Sequence, residues 1–234
     1  MNSHIVDCDN TILDTEKIKT NIVKKIINTF GDLGNNIFWE EYKKTKQLKG
    51  FVDIPFTAEK MAEQLGLPSI NGEKIYKLIF MDIPFNEFFL PGAEDFLKVL
   101  KKDGRLIMYS LGDQVYQKDK IRLSGLVDII GEENIIITHN KLAQTQELIN
   151  DLKEQGFTNL FFYNDNLIEL DEAHKVDPEI KCVWVQHGNR IKKEGINTSF
   201  LYLRANTPRD IHRMLFSQDF EIRSQKRSIL EKFA

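Results

Sequence analysis

Near the start of the sequence a short apolar run, His4-Ile5-Val6, stops at two carboxylates one residue apart, in the string Asp7-Cys8-Asp9-Asn10-Thr11. Two like charges a few ångströms apart are costly unless one takes a proton or a cation lies between them. Such a pair suits a covalent nucleophile with a general acid and base beside it, or the hard-oxygen half of a divalent-metal site. Other chemistry-bearing residues stand in comparable places: Ser110 ends the run RLIMYS, Lys141 follows IIIT at 135–138, and Asn164-Asp165 follow NLFFY at 159–163. Mg²⁺ is the metal that fits, since the donors are oxygens and the five histidines show no metal-ligand spacing. Taken alone, an Asp-x-Asp after a strand is more often a turn. Cys8, between the acids, reads as a small packing residue.

The elements that must position these residues follow from apolar periodicity. Residues 4–7 read as a short buried strand, and Ile18, Ile22, Ile26 and Phe30 then recur at helical spacing behind a cap at Asp14 or Thr15, with Gly31 after them. Helices are expected over 36–48, over 57–65 with Thr57 as the cap, and over 71–81, so that 14–85 contains helices and no strand. Beyond Pro84 and Pro91 strands alternate with helices: helix 92–102, strand 105–110, helix 114–124, strands 127–130 and 135–138, helix 141–155, strand 159–163, helix 166–175, strands 181–186 and 200–204, and a helix opening at Thr207-Pro208. That alternation predicts a parallel sheet, and parallel sheets present their ligand sites at the carboxyl ends of the strands, where the residues above fall.

With 234 residues the chain has room for at most two domains. A net charge of −3 and a pI near 6.0 give no basic field for nucleic acid or an anionic membrane, and 41% hydrophobic residues exclude a disordered composition. The opening residues lack a basic leader, and no run approaches the length of a membrane span. Two distant cysteines make no disulfide framework, so reduced thiols and a cytoplasmic location are expected.

In these motifs the sequence resembles the haloacid dehalogenase-like hydrolases, whose first motif is a strand followed by Asp-x-Asp-x-Thr or Val, here HIVDCDNTILDT. RLIMYS is similar to their second motif, Lys141, about thirty residues further on, to the third, and NLFFYNDNLIELDEA to the fourth. The resemblance covers about 1–15 and 88–212. It implies an α/β fold, a Rossmann-like parallel sheet core at 1–13 and 89–216 with an inserted α-helical cap of the C1 type at 14–88, and a helical extension at 217–234.

The resemblance also implies roles. Asp7 is the nucleophile that takes a phosphoryl group, Asp9 protonates the leaving alkoxide and later activates water, Ser110 holds phosphoryl oxygens, and Lys141 neutralises charge. Mg²⁺ is held by Asp7, the Asp9 carbonyl and Asp165, with Glu169 in its outer shell. Asn164 stands where glycine is common, and Glu169 where a second aspartate is expected. Lys120, in QKDKIRLSGL, is an alternative to Lys141, which the spacing favours. The activity implied is a Mg²⁺-dependent phosphatase for a small phosphorylated metabolite, acting as a monomer or homodimer. A phosphomutase shares all four motifs, and a degenerate non-catalytic scaffold would explain Asn164 and Glu169. Dehalogenation fits less well, because members with that chemistry lack the second aspartate of the first motif.

Overall fold

The computed structural model describes residues 1–67, 71–186 and 203–210. Six strands, β1 (Asn2–Val6), β2 (Arg105–Leu111), β3 (Ile135–Thr138), β4 (Asn159–Asn164), β5 (Lys181–Val185) and β6 (Leu203–Ala205), form one sheet in the order β3-β2-β1-β4-β5-β6. Every neighbouring pair is parallel. From β1 the chain builds outward through β2 and β3, then returns to the other side of β1 for β4. The order therefore reverses beside β1, the place where open parallel sheets leave a crevice at their carboxyl edge.

Helices cover both faces, so the central strands carry apolar residues on both faces. On one face Val6, Met108, Tyr163 and Val183 pack with α4 (Ala93–Asp103) and α6 (Leu126–Ile130). On the other, Ile5, Ile107, Tyr109, Phe162 and Cys182 pack with Ile149 and Leu152 of α7 (Lys141–Glu154) and Leu170 of α8 (Leu167–Val176). Each fully buried Ile, Val or Phe contributes about 1.5–3 kcal/mol through loss of apolar contact with water. Segment 127–130, expected as a strand, is part of α6 instead. Its apolar run is too short for periodicity to separate strand from helix, and left-handed Gly125 and Gly131 on either side cut it to little more than one turn.

Among the described residues three α-helices lie between β1 and α4, namely α1 (Thr15–Lys49), α2 (Ile54–Gln64) and α3 (Gly72–Phe80), followed by a single 3-10 turn at Phe85–Glu87. The chain enters and leaves them side by side, since Asp14 N–H donates to Phe88 O (2.8 Å) and Leu90 N–H to Ile12 O (2.8 Å). Asp14 caps α1 by accepting from the Glu16 and Lys17 N–H groups. Gly31, at φ 68° and ψ −172°, interrupts α1, which is thus the two expected helices set end to end. The cap of α2 is Asp53 rather than Thr57: Asp53 accepts from Phe56 N–H, Pro55 occupies the first turn, and the Thr57 hydroxyl donates to Asp53 O. Gly72 lets α3 start against α2, because a β-carbon there would lie 2.5 Å from Glu59 Cα.

Thr207 and Asp210 form the expected helix start, with Thr207 N–H donating to Asp210 Oδ2 (3.0 Å) and Asp210 N–H to Thr207 Oγ1 (3.3 Å). The continuation of that helix and the extension at 217–234 lie outside the described residues. Among the described residues no helix is long and apolar enough to cross a membrane.

Candidate active site

The turn after β1 is built by Cys8 O, which accepts from both Ile12 and Leu13 N–H groups (3.0 Å each). Closing it requires a left-handed residue, and Asn10 takes that conformation at φ 59°, which asparagine tolerates better than most. Asp7 and Asp9 are thereby fixed at the carboxyl end of the central strand. Strand register brings the other strand-end residues alongside: Val6 is level with Met108 of β2 and with Tyr163 of β4, so Ser110 and Asp165 each stand two residues further along their chains, flanking the Asp7–Asp9 turn. Ser110 is buried, and its hydroxyl has no hydrogen-bond partner among the described residues.

Two buried lysines reach this turn, one for each aspartate. Lys141 Nζ lies 2.5 Å from Asp7 Oδ1 and 2.9 Å from Glu169 Oε2, and the Thr11 hydroxyl donates to Asp7 Oδ2 at 3.3 Å. Lys141 is the first residue of α7, where a cation opposes the helix dipole. Its two carboxylate partners offset that cost. Lys120, from α5 (Gln114–Leu123), contacts both oxygens of Asp9, at 2.7 and 2.6 Å, and Gln117 Nε2 donates to Asp9 Oδ2 at 3.3 Å and to Leu111 O at 3.0 Å.

The loop after β4 explains both departures from the expected motif. Asn164 Oδ1 accepts from Asn166 N–H (2.9 Å) while its Nδ2 donates to Glu169 Oε2 (2.7 Å); Asn166 Nδ2 donates to Glu169 Oε1 (2.8 Å). Glu169 is held by two amides and one ammonium, and Asn164 performs side-chain work that glycine could not. Asp165 is buried, and its main-chain carbonyl accepts from Trp184 Nε1–H at 3.1 Å.

Burial pushes the Asp7 carboxyl up, against the pull of Lys141, and Glu169 and Asp9 push the same way. For Asp9, burial also acts upward, but Lys120 and the hydrogen bonds to it outweigh that and the net shift is down. Glu169 likewise ends low, burial being overcome by Lys141 and the two asparagines. Both lysines are held above their ordinary value because carboxylates at contact distance overcome desolvation. The Cys8 thiol is pushed up to about 12 by burial, which leaves it inert.

The helices between β1 and α4 close over this edge. The Tyr42 hydroxyl of α1 is pushed up to about 12 by burial and by the Asp9 charge. Phe51, after α1, stacks on His139 with ring centres 4.6 Å apart, and Val52 O accepts from Asp113 N–H at 3.2 Å. An open groove of about 1100 Å³ lies between α2, α3 and α5, lined by Phe56, Tyr76 and Asp119 among others, and none of the strand-end residues borders it.

Asp7, Lys141 and Glu169 are thus joined in one network and Asp9, Lys120 and Gln117 in a second on the same turn, with Ser110 and Asp165 on the neighbouring strands. The pairing of Lys120 with Asp9 was not visible in the motifs, nor were the contributions of Gln117, Thr11 and Asn166. One signal existed: Gln117 and Lys120 fall on the face of α5 that also carries Tyr116 and Ile121, and polar residues on a buried face need a partner. Asp7 and Asp165 offer hard oxygens of the type Mg²⁺ prefers. Among the described residues no three of His, Cys, Asp or Glu converge to enclose a metal, but Mg²⁺ commonly takes only one or two carboxylates and completes its shell with water and phosphate oxygens. The donor set fits on those terms.

No family model and no curated protein matches the sequence. Solved structures do. A protein of Burkholderia xenovorans described as a haloacid dehalogenase-like hydrolase superposes with a TM-score of 0.77 at 21% identity, covering 91% of this chain and 98% of the other. The HAD-hydrolase YfnB of Bacillus subtilis, solved bound to magnesium, gives 0.57 at 13% identity over 92% and 99%. A protein of Thermotoga maritima described as a β-phosphoglucomutase gives 0.57 at 16% over 92% and 98%, and dehalogenases are also among the matches. A turn carrying two aspartates after the central strand, a lysine at the head of α7 and helices inserted after β1 are accordingly set on a shared framework, and the fold of this chain is that of the haloacid dehalogenase-like hydrolases.

Proposed function

We propose that the protein is a Mg²⁺-dependent phosphatase for a small phosphorylated metabolite, acting through a phosphorylated Asp7. The observation that carries this reading is the pairing of Asp7 with Lys141 at 2.5 Å, beside a second carboxylate, Asp9, and the unpartnered Ser110 hydroxyl. A carboxylate nucleophile needs donors that take up charge on the transferring phosphoryl oxygens, and Lys141 and Ser110 are such donors.

In the first step an Asp7 carboxylate oxygen forms a bond to phosphorus as the ester P–O bond breaks, and the leaving alkoxide takes a proton from Asp9. The negative phosphate entering beside Asp9 favours that protonated form. In the second step water attacks phosphorus, its proton returns to Asp9, and the P–O bond to Asp7 breaks to release phosphate. Mg²⁺, when bound, supplies charge neutralisation on the phosphoryl oxygens, and Asp7, the Asp9 carbonyl and Asp165 are the groups that would hold it. The magnesium in the Bacillus subtilis structure supports this choice of metal.

In this reading residues 14–88 act as a cap that excludes water and selects the substrate over a core at 1–13 and 89–216. The protein works in the cytoplasm as a monomer or homodimer, with neither nucleic acid nor membrane as partner. The test is a panel of phosphorylated metabolites assayed with Mg²⁺, with EDTA, and with Asp7→Asn. Turnover that needs Mg²⁺ and falls about a thousandfold or more in the variant is expected. Turnover that survives chelation removes the metal, and turnover that survives Asp7→Asn removes the nucleophile. Isomerised phosphate ester in place of free phosphate would assign the protein as a phosphomutase.

A further inference from the structure

We propose that Lys120 is a positioning residue for Asp9: it holds the carboxylate on the α5 side of the strand-end turn, in the one orientation from which Asp9 can serve the leaving-group oxygen. This rests on the phosphatase reading and adds to it a role for Lys120 distinct from that of the third-motif lysine, which Lys141 fills. Three observations carry the assignment. Lys120 is 0% exposed, so it cannot touch substrate, whereas the Asp9 side chain is 30% exposed and can. Its Nζ binds both Asp9 oxygens, at 2.7 and 2.6 Å, which fixes the rotation of the carboxylate as a single contact would not. Gln117, one turn earlier on α5, adds a donor to Asp9 Oδ2 and is itself anchored to Leu111 O.

An ammonium is costly to bury, and here the cost goes with fixing the orientation of its partner. Here the alternative for Asp9 is close at hand. Among the described residues Lys141 is the other lysine whose charge acts on Asp9; it is already bound to Asp7 and Glu169, and a carboxylate turned toward it would leave the leaving group without its proton donor.

The experiment compares wild type with Lys120→Met, Lys120→Arg and Gln117→Leu on two substrates, an alkyl phosphate and p-nitrophenyl phosphate, together with a crystal structure of Lys120→Met. An alkoxide leaves only with a proton, whereas p-nitrophenolate leaves without one. Lys120→Met should therefore lower kcat on the alkyl ester about tenfold or more and on the aryl ester much less, with KM unchanged within about twofold on both. Lys120→Arg should recover part of the loss, Gln117→Leu should shift the alkyl-to-aryl ratio in the same direction by less, and the crystal structure should show Asp9 turned away from α5. If Lys120→Met does not fold, the Gln117→Leu ratio decides. Equal losses on both esters, or Asp9 unmoved in the variant, would overturn the assignment. Failure of the phosphatase reading shows separately, as absent turnover by wild type on both esters, and positioning is then judged from the crystal structure alone.

Discussion

The two flanks of the strand-end turn solve the same problem differently. On the α7 and α8 side, Asp7 meets a lysine that is itself shared with Glu169, and every oxygen of Glu169 is taken by Lys141, Asn164 or Asn166. On the α5 side, Asp9 has one lysine and one long amide contact, and nearly a third of its side chain remains open. The Asp7 side chain is 9% exposed. The first flank is over-determined, as suits a group that must always be presented in one geometry. The second leaves room for whatever approaches from the inserted helices.

Breaking the closed flank should have the largest consequence. Lys141→Met leaves Asp7 and Glu169 buried with no cation between them, and should cost about 3–5 kcal/mol in urea unfolding and lower kcat about a hundredfold to a thousandfold. If Lys120→Met proves the more destabilising of the two, the contrast between the flanks is reversed.

Glu169→Gln comes next. It preserves shape, but one of its two terminal atoms becomes an N–H donor facing either the Asn166 amide or the Asn164 amide and Lys141. An unfolding cost of about 1–3 kcal/mol and a weaker activity loss than in Lys141→Met are expected.

A pH series sharpens the comparison on the open flank. The folded pKa of Asp9 lies below its ordinary value of 3.8, so its contribution to stability is present above that value and is lost as pH falls through the lowered one. Removing Lys120 takes away the main pull against burial and leaves only Gln117 and Lys141 to oppose it, which weakens the downward shift. The stability gap between wild type and Lys120→Met should thus be widest near neutral pH and should close in acid, as measured by denaturant midpoints at successive pH values. A gap that widens on acidification would contradict the pairing. The smallest effect belongs to Thr11→Val: its hydroxyl contact to Asp7 is long, at 3.3 Å, and the loss should be about 0.5–1.5 kcal/mol with kcat falling only a fewfold.

What could be read from the sequence was whatever depends on local pattern. Strand ends such as Val6-Asp7 and Tyr163-Asn164 are abrupt changes from apolar to polar, and the helical spacing of Ile18, Ile22, Ile26 and Phe30 is regular over three turns. The end of α1's first half at Gly31 was legible because glycine alone is at ease at φ 68°. Errors arose where two local rules compete: Thr57 and Asp53 both cap well, and the stretch at 127–130 has the same apolar run whether it is a strand or one turn of helix. The pairing of Asp9 with Lys120 lay beyond local pattern altogether, since 111 residues separate partners that only the β1–β2 register brings together. The contacts of Glu169 with Lys141 and the two asparagines are likewise set by distances that spacing alone does not contain.

The hydrogen bond from the Trp184 indole to the Asp165 carbonyl has an optical consequence. The chain has two tryptophans. Trp184 is buried beneath the strand edge, and Trp39 lies in α1, donating to Asn35 Oδ1 at 3.0 Å. Indole emission responds to the polarity and hydrogen bonding around its N–H, so a ligand that shifts the loop at Asp165 would register in Trp184, whereas rearrangement of the helices would register in Trp39. With Trp39→Phe and Trp184→Phe as controls, fluorescence can time events at the strand edge separately from events in the helices above it, without an attached dye and before any substrate has been identified.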